Sequence, residues 1–227
     1  MTTSRRYAIV GSGNIGTALA RLFARAAIDV NIANTRGPES IRQLVESTGA
    51  SVHAVELAEA LDSDVIMMAV PFPKVAEFGA SLADWTGKSV VDTTNAYLTP
   101  NSADILQGRL STHYAAEQLP GAEVVKTFNQ LPANILAAEL DPGVGRRVVF
   151  VATDFPRAGD RIADLVNDLG LAAVQLGRID EGGHLIQARN ALVLRNLIEQ
   201  PLQTPRQASR AAASLRSFER RTAAWVA

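Results

Sequence analysis

The sequence contains no cysteine, which excludes disulfides, thiolate nucleophiles and thiolate metal sites. Its three histidines, His53, His113 and His184, form no pair at the spacing of metal ligands on a helix or hairpin, so we expect no metal site. The 22 basic and 23 acidic residues nearly cancel, which gives no basis for a nucleic-acid partner.

Long apolar segments are also missing. The longest apolar runs have about 6 to 8 residues, whereas a membrane-spanning helix needs roughly 20. No apolar leader segment follows Arg5 and Arg6. We therefore expect a cytoplasmic protein without a membrane partner. A hydrophobic content of 47% over 227 residues is enough for a substantial core.

Short runs rich in β-branched residues alternate with helical patterns along most of the chain. This alternation predicts an α/β fold whose parallel sheet is buried on both faces. The strands are predicted at 6–10, 29–33, 51–55, 64–70, 88–92, 123–128, 146–152 and 172–176. The helices between them are predicted at 14–26, 38–48, 73–84, 132–139 and 156–169.

The pattern changes after Gly182 and Gly183, where only helical periodicity follows, at 184–198 and 205–225. We predict a sheet domain over residues 1–180 and a small helical C-terminal extension over residues 181–227. The paired glycines are expected to allow a close approach of the last strand to the next helix. A second hypothesis makes them a backbone wall of a substrate pocket.

Three glycines, Gly11, Gly13 and Gly16, follow the first predicted strand in the stretch YAIVGSGNIGTALARL. Gly11 can adopt a positive φ for a tight turn, Gly13 allows a pyrophosphate to approach the backbone, and Gly16 permits close helix–strand packing. The free N–H groups at the helix start form an anion site. The motif predicts dinucleotide binding, and the alternative is a structural turn without a ligand.

The end of the second predicted strand indicates which dinucleotide binds. An NAD-specific site usually has an acidic residue there for the ribose 2′-hydroxyl, but this strand ends in Asn34, Thr35 and Arg36. A guanidinium with a neighbouring hydroxyl and amide suits a 2′-phosphate, which a carboxylate would repel. We therefore predict NADP(H). The alternative for Arg36 is a solvated surface side chain.

Further loops lie where ligands bind in open α/β sheets, at the carboxyl ends of strands. The backbone at residues 69–72, which include Ala69, Val70 and Pro71, is expected to line either the adenosine or the nicotinamide ribose. Thr93, Thr94 and Asn95 follow the fifth strand and either contact the ribose or carboxamide or form an ordinary hydroxyl-capped turn. Lys126, one of three lysines, lies near the carboxyl end of the sixth strand and is expected to be paired, beside a ligand anion, or at the rim.

These segments together resemble a known family, the NADP oxidoreductases that depend on the deazaflavin coenzyme F420, with their bacterial dinucleotide-binding relatives and the cytosolic domain of STEAP-type metalloreductases. The resemblance extends from about Tyr7 to Asn190 and rests on the segments GSGNIGTALA, NTRGPES, AVPF, VVDTTNAY, VVKTFNQLPANIL, VVFVATD and LGRIDEGG. It implies a Rossmann-type, doubly wound, mainly parallel sheet. The loop KTFNQLPAN departs from the deazaflavin reductases and is closer to the metalloreductases.

The resemblance also implies a reaction and a set of binding residues. Hydride would pass between NADP(H) and coenzyme F420, or a flavin (FAD or FMN), without a catalytic side chain. The residues implied at the cofactor are Ser12, Asn14 and Ile15 for the pyrophosphate, Thr35 and Arg36 for the 2′-phosphate, Val70 and Pro71 for the ribose, and Asn95, Leu131, Pro132 and Ala133 for the nicotinamide.

Two other functions remain open from the sequence. The chain could be a non-catalytic protein that senses NADP(H) and holds a partner through its tail. It could also be an imine or hydroxyacid reductase whose small-molecule site is completed by domain sharing in a dimer. The predicted amphipathic helix at 205–225 is expected to pack on its own subunit or on a mate, so we expect a homodimer.

Overall fold

One nine-stranded sheet organises the part of the chain that the computed structural model describes, residues 5–97 and 99–200. The strands are Tyr7–Val10 (β1), Val30–Ala33 (β2), Val52–Ala54 (β3), Val65–Met68 (β4), Ser89–Asp92 (β5), Glu123–Lys126 (β6), Arg146–Thr153 (β7), Ala172–Gln175 (β8) and Ile198–Glu199 (β9). All eight predicted strands are present, and β9 was not predicted.

The strand order is β3-β2-β1-β4-β5-β6-β7-β8. The first six strands are parallel, β6 pairs antiparallel with β7, and β8 is parallel to β7. The order reverses beside β1, which is the topological switch point of a doubly wound fold. The Rossmann-type, mainly parallel sheet is therefore confirmed.

Within the described residues, eight α-helices join the strands. They are Asn14–Ala26 (α1), Arg42–Thr48 (α2), Leu57–Leu61 (α3), Val75–Gly79 (α4), Ser102–Leu106 (α5), Ser111–Glu117 (α6), Ala133–Ala137 (α7) and Pro156–Asp168 (α8). A 3-10 turn, Pro38–Ile41, precedes α2. The helices α3, α5 and α6 were not predicted.

The helix predicted at 73–84 ends early, at Gly79. The Trp85 indole N–H, which is buried, donates to the Gly79 carbonyl at 3.0 Å and so satisfies a carbonyl at the helix end. A Cβ on Gly79 would lie 2.1 Å from the Gln118 carbonyl oxygen. Close packing against the end of α6 therefore sets where this helix stops.

Apolar side chains of the central strands alternate between two cores. Ile9, Met67 and Val91 point into the core that also contains the apolar sides of α1 and α8. Ala8 and Ile66 point into the opposite core, with Trp85 and residues of α3, α4 and α6. Both faces of the sheet are thus buried, which explains why the strands read as continuous apolar runs.

The prediction of a helix over 184–198 is wrong. A 3-10 turn at Gly182–Ile186 is followed by turns that contain two residues with positive φ, Arg189 at +70° and Leu194 at +62°, which a right-handed helix does not accommodate. The chain then pairs antiparallel with the start of β7 as β9. Tertiary pairing has overridden helical periodicity in this segment.

The predicted helix at 205–225 lies outside the described residues. The division of the chain at residue 180 stays a prediction. Within the described part, no helix has the length and apolar character to span a membrane.

The turn between β1 and α1 is held by close backbone contacts. Gly11 has a φ of +115°, and a Cβ there would lie 2.2 Å from the Ala69 carbonyl oxygen at the end of β4. A Cβ on Gly16 would lie 1.9 Å from the Gly11 carbonyl oxygen. A Cβ on Gly13 would meet no atom within 4 Å. Two glycines are therefore required by packing, and the third faces open space.

We expect Gly16→Ala to lower the free energy of unfolding by about 1–3 kcal/mol or more, because backbone must move to admit the methyl group. Gly13→Ala is the matched control and should change it by less than about 1 kcal/mol. Urea unfolding followed by circular dichroism measures both. Equal losses would contradict the close approach.

Candidate active site

A cleft of about 810 Å³ lies at the switch point, at the carboxyl ends of β1, β2, β4 and β5. Most of the predicted site residues line this first cleft: Gly11, Ser12, Gly13, Asn14, Ile15, Asn34, Thr35, Arg36, Ala69, Val70, Pro71 and Asn95. Gly16 is buried beneath it, behind Gly11. Residues from four loops that are distant in sequence therefore meet in one cavity.

The N-terminus of α1 opens into the first cleft. The helix has 13 residues, begins at Asn14 and has neither a side-chain cap nor an acidic residue in its first turn. Its first N–H groups have no partner within the helix, and the helix dipole gives them positive character. With the bare backbone of Gly13 beside it, this end is suited to a pyrophosphate.

Asn34 joins the glycine turn to the turn after β2. Its Nδ2 donates to Ser12 Oγ at 2.8 Å and to Ser40 Oγ at 3.0 Å, and its Oδ1 accepts from the Arg36 N–H at 2.8 Å. This amide positions the loop, while Thr35 and Arg36 are exposed at the cleft. Arg36 makes no ion pair with any residue between 5 and 200 that the structure describes.

A buried ion pair lies beneath the loops that follow β5 and β6. Lys126 Nζ is 3.0 Å from Asp92 Oδ2, both side chains are completely buried, and the two residues are partners in the parallel pairing of β5 with β6. Lys126 also donates to the Thr94 carbonyl. Burial lowers the pKa of the Lys126 ammonium, and the Asp92 carboxylate opposes that shift. The sequence left three alternatives for Lys126, which were an ion pair, a ligand anion and the rim of the sheet. The structure shows the ion pair.

Asp92 accepts four hydrogen bonds. Oδ1 accepts from the Thr94 N–H at 2.9 Å and the Thr94 hydroxyl at 2.7 Å, and Oδ2 accepts from Thr112 Oγ1 at 3.0 Å as well as from Lys126. The Thr93 hydroxyl donates to the Met68 carbonyl at 3.0 Å. Both threonine hydroxyls are thus used inside the protein, although both residues line the first cleft, and Asn95 is the one of the three polar residues that also lines a second cavity.

Asn95 forms a reciprocal pair with Asn129. Asn95 Nδ2 donates to the Asn129 carbonyl at 2.9 Å, and Asn129 Nδ2 donates to Asn95 Oδ1 at 3.0 Å and to the Ile186 carbonyl at 2.6 Å. The chain reaches this position through Phe128, whose φ of +60° ends the strand predicted to continue to residue 128. Asn95 is therefore held at the rim of the first cleft.

A second cleft, of about 720 Å³, lies on the other side of Asn95. It is lined by Asn95, Tyr97, Asn129, Leu131, Pro132, Ala188, Arg189, Asn190, Ala191, Val193, Leu194 and Arg195. Two predicted residues, Leu131 and Pro132, line this cleft, whereas Ala133 lines neither cleft and packs partly against the core. Asn95 is common to both clefts.

Several site residues escaped sequence reasoning. The sequence singles out Lys126 but does not name Asp92 as its partner, although both stand at or near the end of an apolar strand, and that shared position was the signal that could have paired them. No comparable signal marked Tyr97, Asn129 or Arg189. Arg189 lies in the segment that was wrongly predicted to be helical. Within the described residues, no group of three His, Asp or Glu side chains could hold a metal ion.

The comparisons with known proteins agree with this geometry. The family model of the coenzyme F420-dependent NADP oxidoreductases matches residues 6–96. The crystal structure of the hypothetical protein SMa0349 from Sinorhizobium meliloti is 44% identical, covers 87% of this chain and 97% of that chain, and has a TM-score of 0.82. Residues 6–96 therefore belong to the F420-dependent NADP oxidoreductase family. No protein of curated function matches it.

More distant structures share the fold. A proposed F420-dependent NADP reductase from Arthrobacter sp. FB24 is 24% identical over 78% of this chain and 86% of that chain, with a TM-score of 0.63. Glycerol-3-phosphate dehydrogenase from Coxiella burnetii is 17% identical over 76% of this chain and 54% of that chain, with a TM-score of 0.56. These likenesses confirm the dinucleotide-binding architecture.

The family match divides the site unevenly. Every residue that lines the first cleft falls within residues 6–96. The second cleft is built mostly from residues beyond that range. The residues matched by the family model thus include all of the first cleft's lining, and the later part of the chain supplies most of the second.

We expect Lys126→Met to lower the free energy of unfolding by about 3–5 kcal/mol, because Asp92 would be left buried without its counter-charge. Thr112→Val, which removes one neutral hydrogen-bond donor to Asp92, should lower the free energy of unfolding by only about 1 kcal/mol. Urea unfolding of both variants measures the difference. The double replacement Asp92→Leu with Lys126→Met should recover part of the loss, and no difference between the two single variants would contradict the ion pair's role.

Proposed function

We propose that this NADP-dependent oxidoreductase transfers hydride between NADP(H) in the first cleft and coenzyme F420 or a flavin in the second cleft. The observation that supports this is the position of Asn95, which is the residue common to both clefts. A nicotinamide beside Asn95 would face the second cleft. Direct hydride transfer between two stacked rings needs no catalytic side chain.

The residues of the first cleft fit NADP. The α1 N-terminus and the bare backbone at Gly13 suit the pyrophosphate, with Ser12, Asn14 and Ile15 around it. Thr35 and Arg36 would hold the 2′-phosphate, since no carboxylate stands at the end of β2. Val70 and Pro71 would contact the ribose.

In this proposal Asn95, Leu131 and Pro132 form the nicotinamide end, and Ala133, which lines neither cleft, supports the turn from behind. Asn95 is fixed by Asn129, and the loop behind it is fixed by the bond from Lys126 to the Thr94 carbonyl. When bound, NADPH supplies a hydride from C4 of its nicotinamide. The protein would orient the two rings and exclude water between them.

The structure favours this reaction over the two alternatives. A protein that only senses NADP(H) would need one cleft for the cofactor, whereas this structure has a second cleft beside it. The imine and reductive aminase structures share the fold at 17–21% identity, and this chain spans 56–65% of their lengths. Cytoplasmic location and a homodimer stay predictions.

We expect Arg36→Asp to weaken NADPH binding by about 10- to 100-fold and NADH binding much less, because the 2′-phosphate loses its guanidinium and meets a carboxylate. Equilibrium dissociation constants from cofactor fluorescence measure this. Arg42→Asp is the control, because it makes the same change of charge at a nearby position. Arg42 lies on α2, outside the first cleft, and pairs with Glu39. Equal losses for both cofactors would contradict the assignment.

We expect reduced coenzyme F420 to be oxidised when NADP⁺ is added to the protein, with FMN and FAD as parallel acceptors for NADPH. The change in deazaflavin or NADPH absorbance measures turnover. Tight NADPH binding without turnover by any acceptor would favour the sensing protein. Turnover of small imines or carbonyls alone would favour the imine or hydroxyacid reductase.

A further inference from the structure

The second cleft carries positive charge that nothing in its lining balances. Arg189 and Arg195 line it together with three asparagines, a tyrosine and apolar residues, and no aspartate or glutamate is among the lining residues. Neither arginine forms an ion pair within residues 5–97 and 99–200. The first cleft, in contrast, contains Glu77 beside its two basic residues, Arg36 and Lys74.

The two arginines differ in their contacts. Arg195 Nε donates to the Ala191 carbonyl at 3.3 Å, within its own turn. The Arg189 guanidinium lies 5.2 Å from the centre of the Tyr97 ring, a distance typical of a cation–π contact. That contact leaves the N–H donors of Arg189 available for an anion. Tyr97 itself is 47% exposed, so its ring also presents open surface.

The inner wall of the second cleft offers a hydrogen-bond acceptor. Asn129 is 3% exposed, and its Oδ1 is buried without a hydrogen-bond partner in the described part of the chain. Its Nδ2 is already used by Asn95 and Ile186. A ligand group with an N–H near this wall would satisfy the free oxygen, which is otherwise costly to bury.

We propose that the second cleft selects a planar aromatic acceptor that carries an anionic group, with Arg189 as the residue that recognises the charge and Tyr97 as the surface on which the ring rests. This rests on the proposed function, because it takes the second cleft as the acceptor site. A cavity of about 720 Å³ is large enough for a three-ring acceptor. Arg189 is a specificity residue and takes no part in the chemical step.

The reaction of such an acceptor balances without another reactant. For FMN, the hydride of NADPH forms a bond to the flavin N5, the C4–H bond of the nicotinamide breaks, and a proton from solvent adds to N1. The products are NADP⁺ and the reduced flavin. The phosphate at Arg189 stays unchanged, so recognition and chemistry can be measured separately.

The test compares two flavins that share one ring system, FMN with a phosphate and riboflavin without one. Quenching of flavin fluorescence on the full chain saturated with NADP⁺ gives dissociation constants without turnover. We expect the protein to bind FMN at least about tenfold more tightly than riboflavin. That preference should fall as salt is added, because an exposed charge pair is screened.

Arg189→Gln should remove most of the preference by weakening FMN about tenfold, while riboflavin binding changes less than about twofold. Arg157→Gln is the control, since Arg157 is exposed on α8 outside both clefts. Tyr97→Leu should weaken both flavins, and Tyr97→Phe should weaken neither. These ring variants separate stacking from charge recognition.

Equal affinity for FMN and riboflavin, or an unchanged preference in Arg189→Gln, would overturn the proposal. If neither flavin is reduced by NADPH, that result bears on the proposed reaction instead. If FMN binds selectively through Arg189 and no hydride is transferred, the anion-selective site stands and the reaction does not. If hydride is transferred to both flavins with the same kcat/KM, the reaction stands and the charge selection does not.

Discussion

The buried ion pair between Asp92 and Lys126 is the interaction on which both clefts depend. It lies at the carboxyl ends of two adjacent parallel strands, where neither side chain has access to water. Taking both charges out of water is costly, and the attraction between them compensates only when the remaining lone pairs and protons are also bonded. Four hydrogen bonds to Asp92, together with the bond from Lys126 to the Thr94 carbonyl, meet that requirement.

These bonds fix segments that the strands alone would leave free. The Thr94 bonds set the loop that presents Asn95 to the clefts. Thr112, which donates to Asp92, accepts a hydrogen bond from Gln187 Nε2 at 3.3 Å, and Gln187 Oε1 in turn accepts from Ser111. Gln187 immediately precedes the residues that wall the second cleft. One network therefore connects the loop after β5 to the wall of the second cleft.

The two clefts are built by different means. The first is made largely of backbone and short side chains on four strand ends, and its shape follows from close contacts such as that of Gly16 with Gly11. The second is made of side chains from a turn-rich segment held by a few bonds, among them Asn129 to Ile186 and the Leu194 N–H to the Gln130 carbonyl. The second cleft is thus built from a less regular part of the chain than the first.

The sequence by itself determined the sheet, because short β-branched runs bounded by turn residues are local signals and a strand buried on both faces is apolar throughout. It also identified the glycine turn and the absence of an acidic residue after β2. The resemblance to the NADP oxidoreductases was visible in the same segments. Only the tertiary structure decided the partner of Lys126, the use of Thr93 and Thr94, and the second cleft. Residues 184–198 show the reason most clearly. Their periodicity favours a helix, yet pairing with β7 and contacts with Gln130 and Asn129 outweigh that local preference, and such long-range contacts leave no local mark in the sequence.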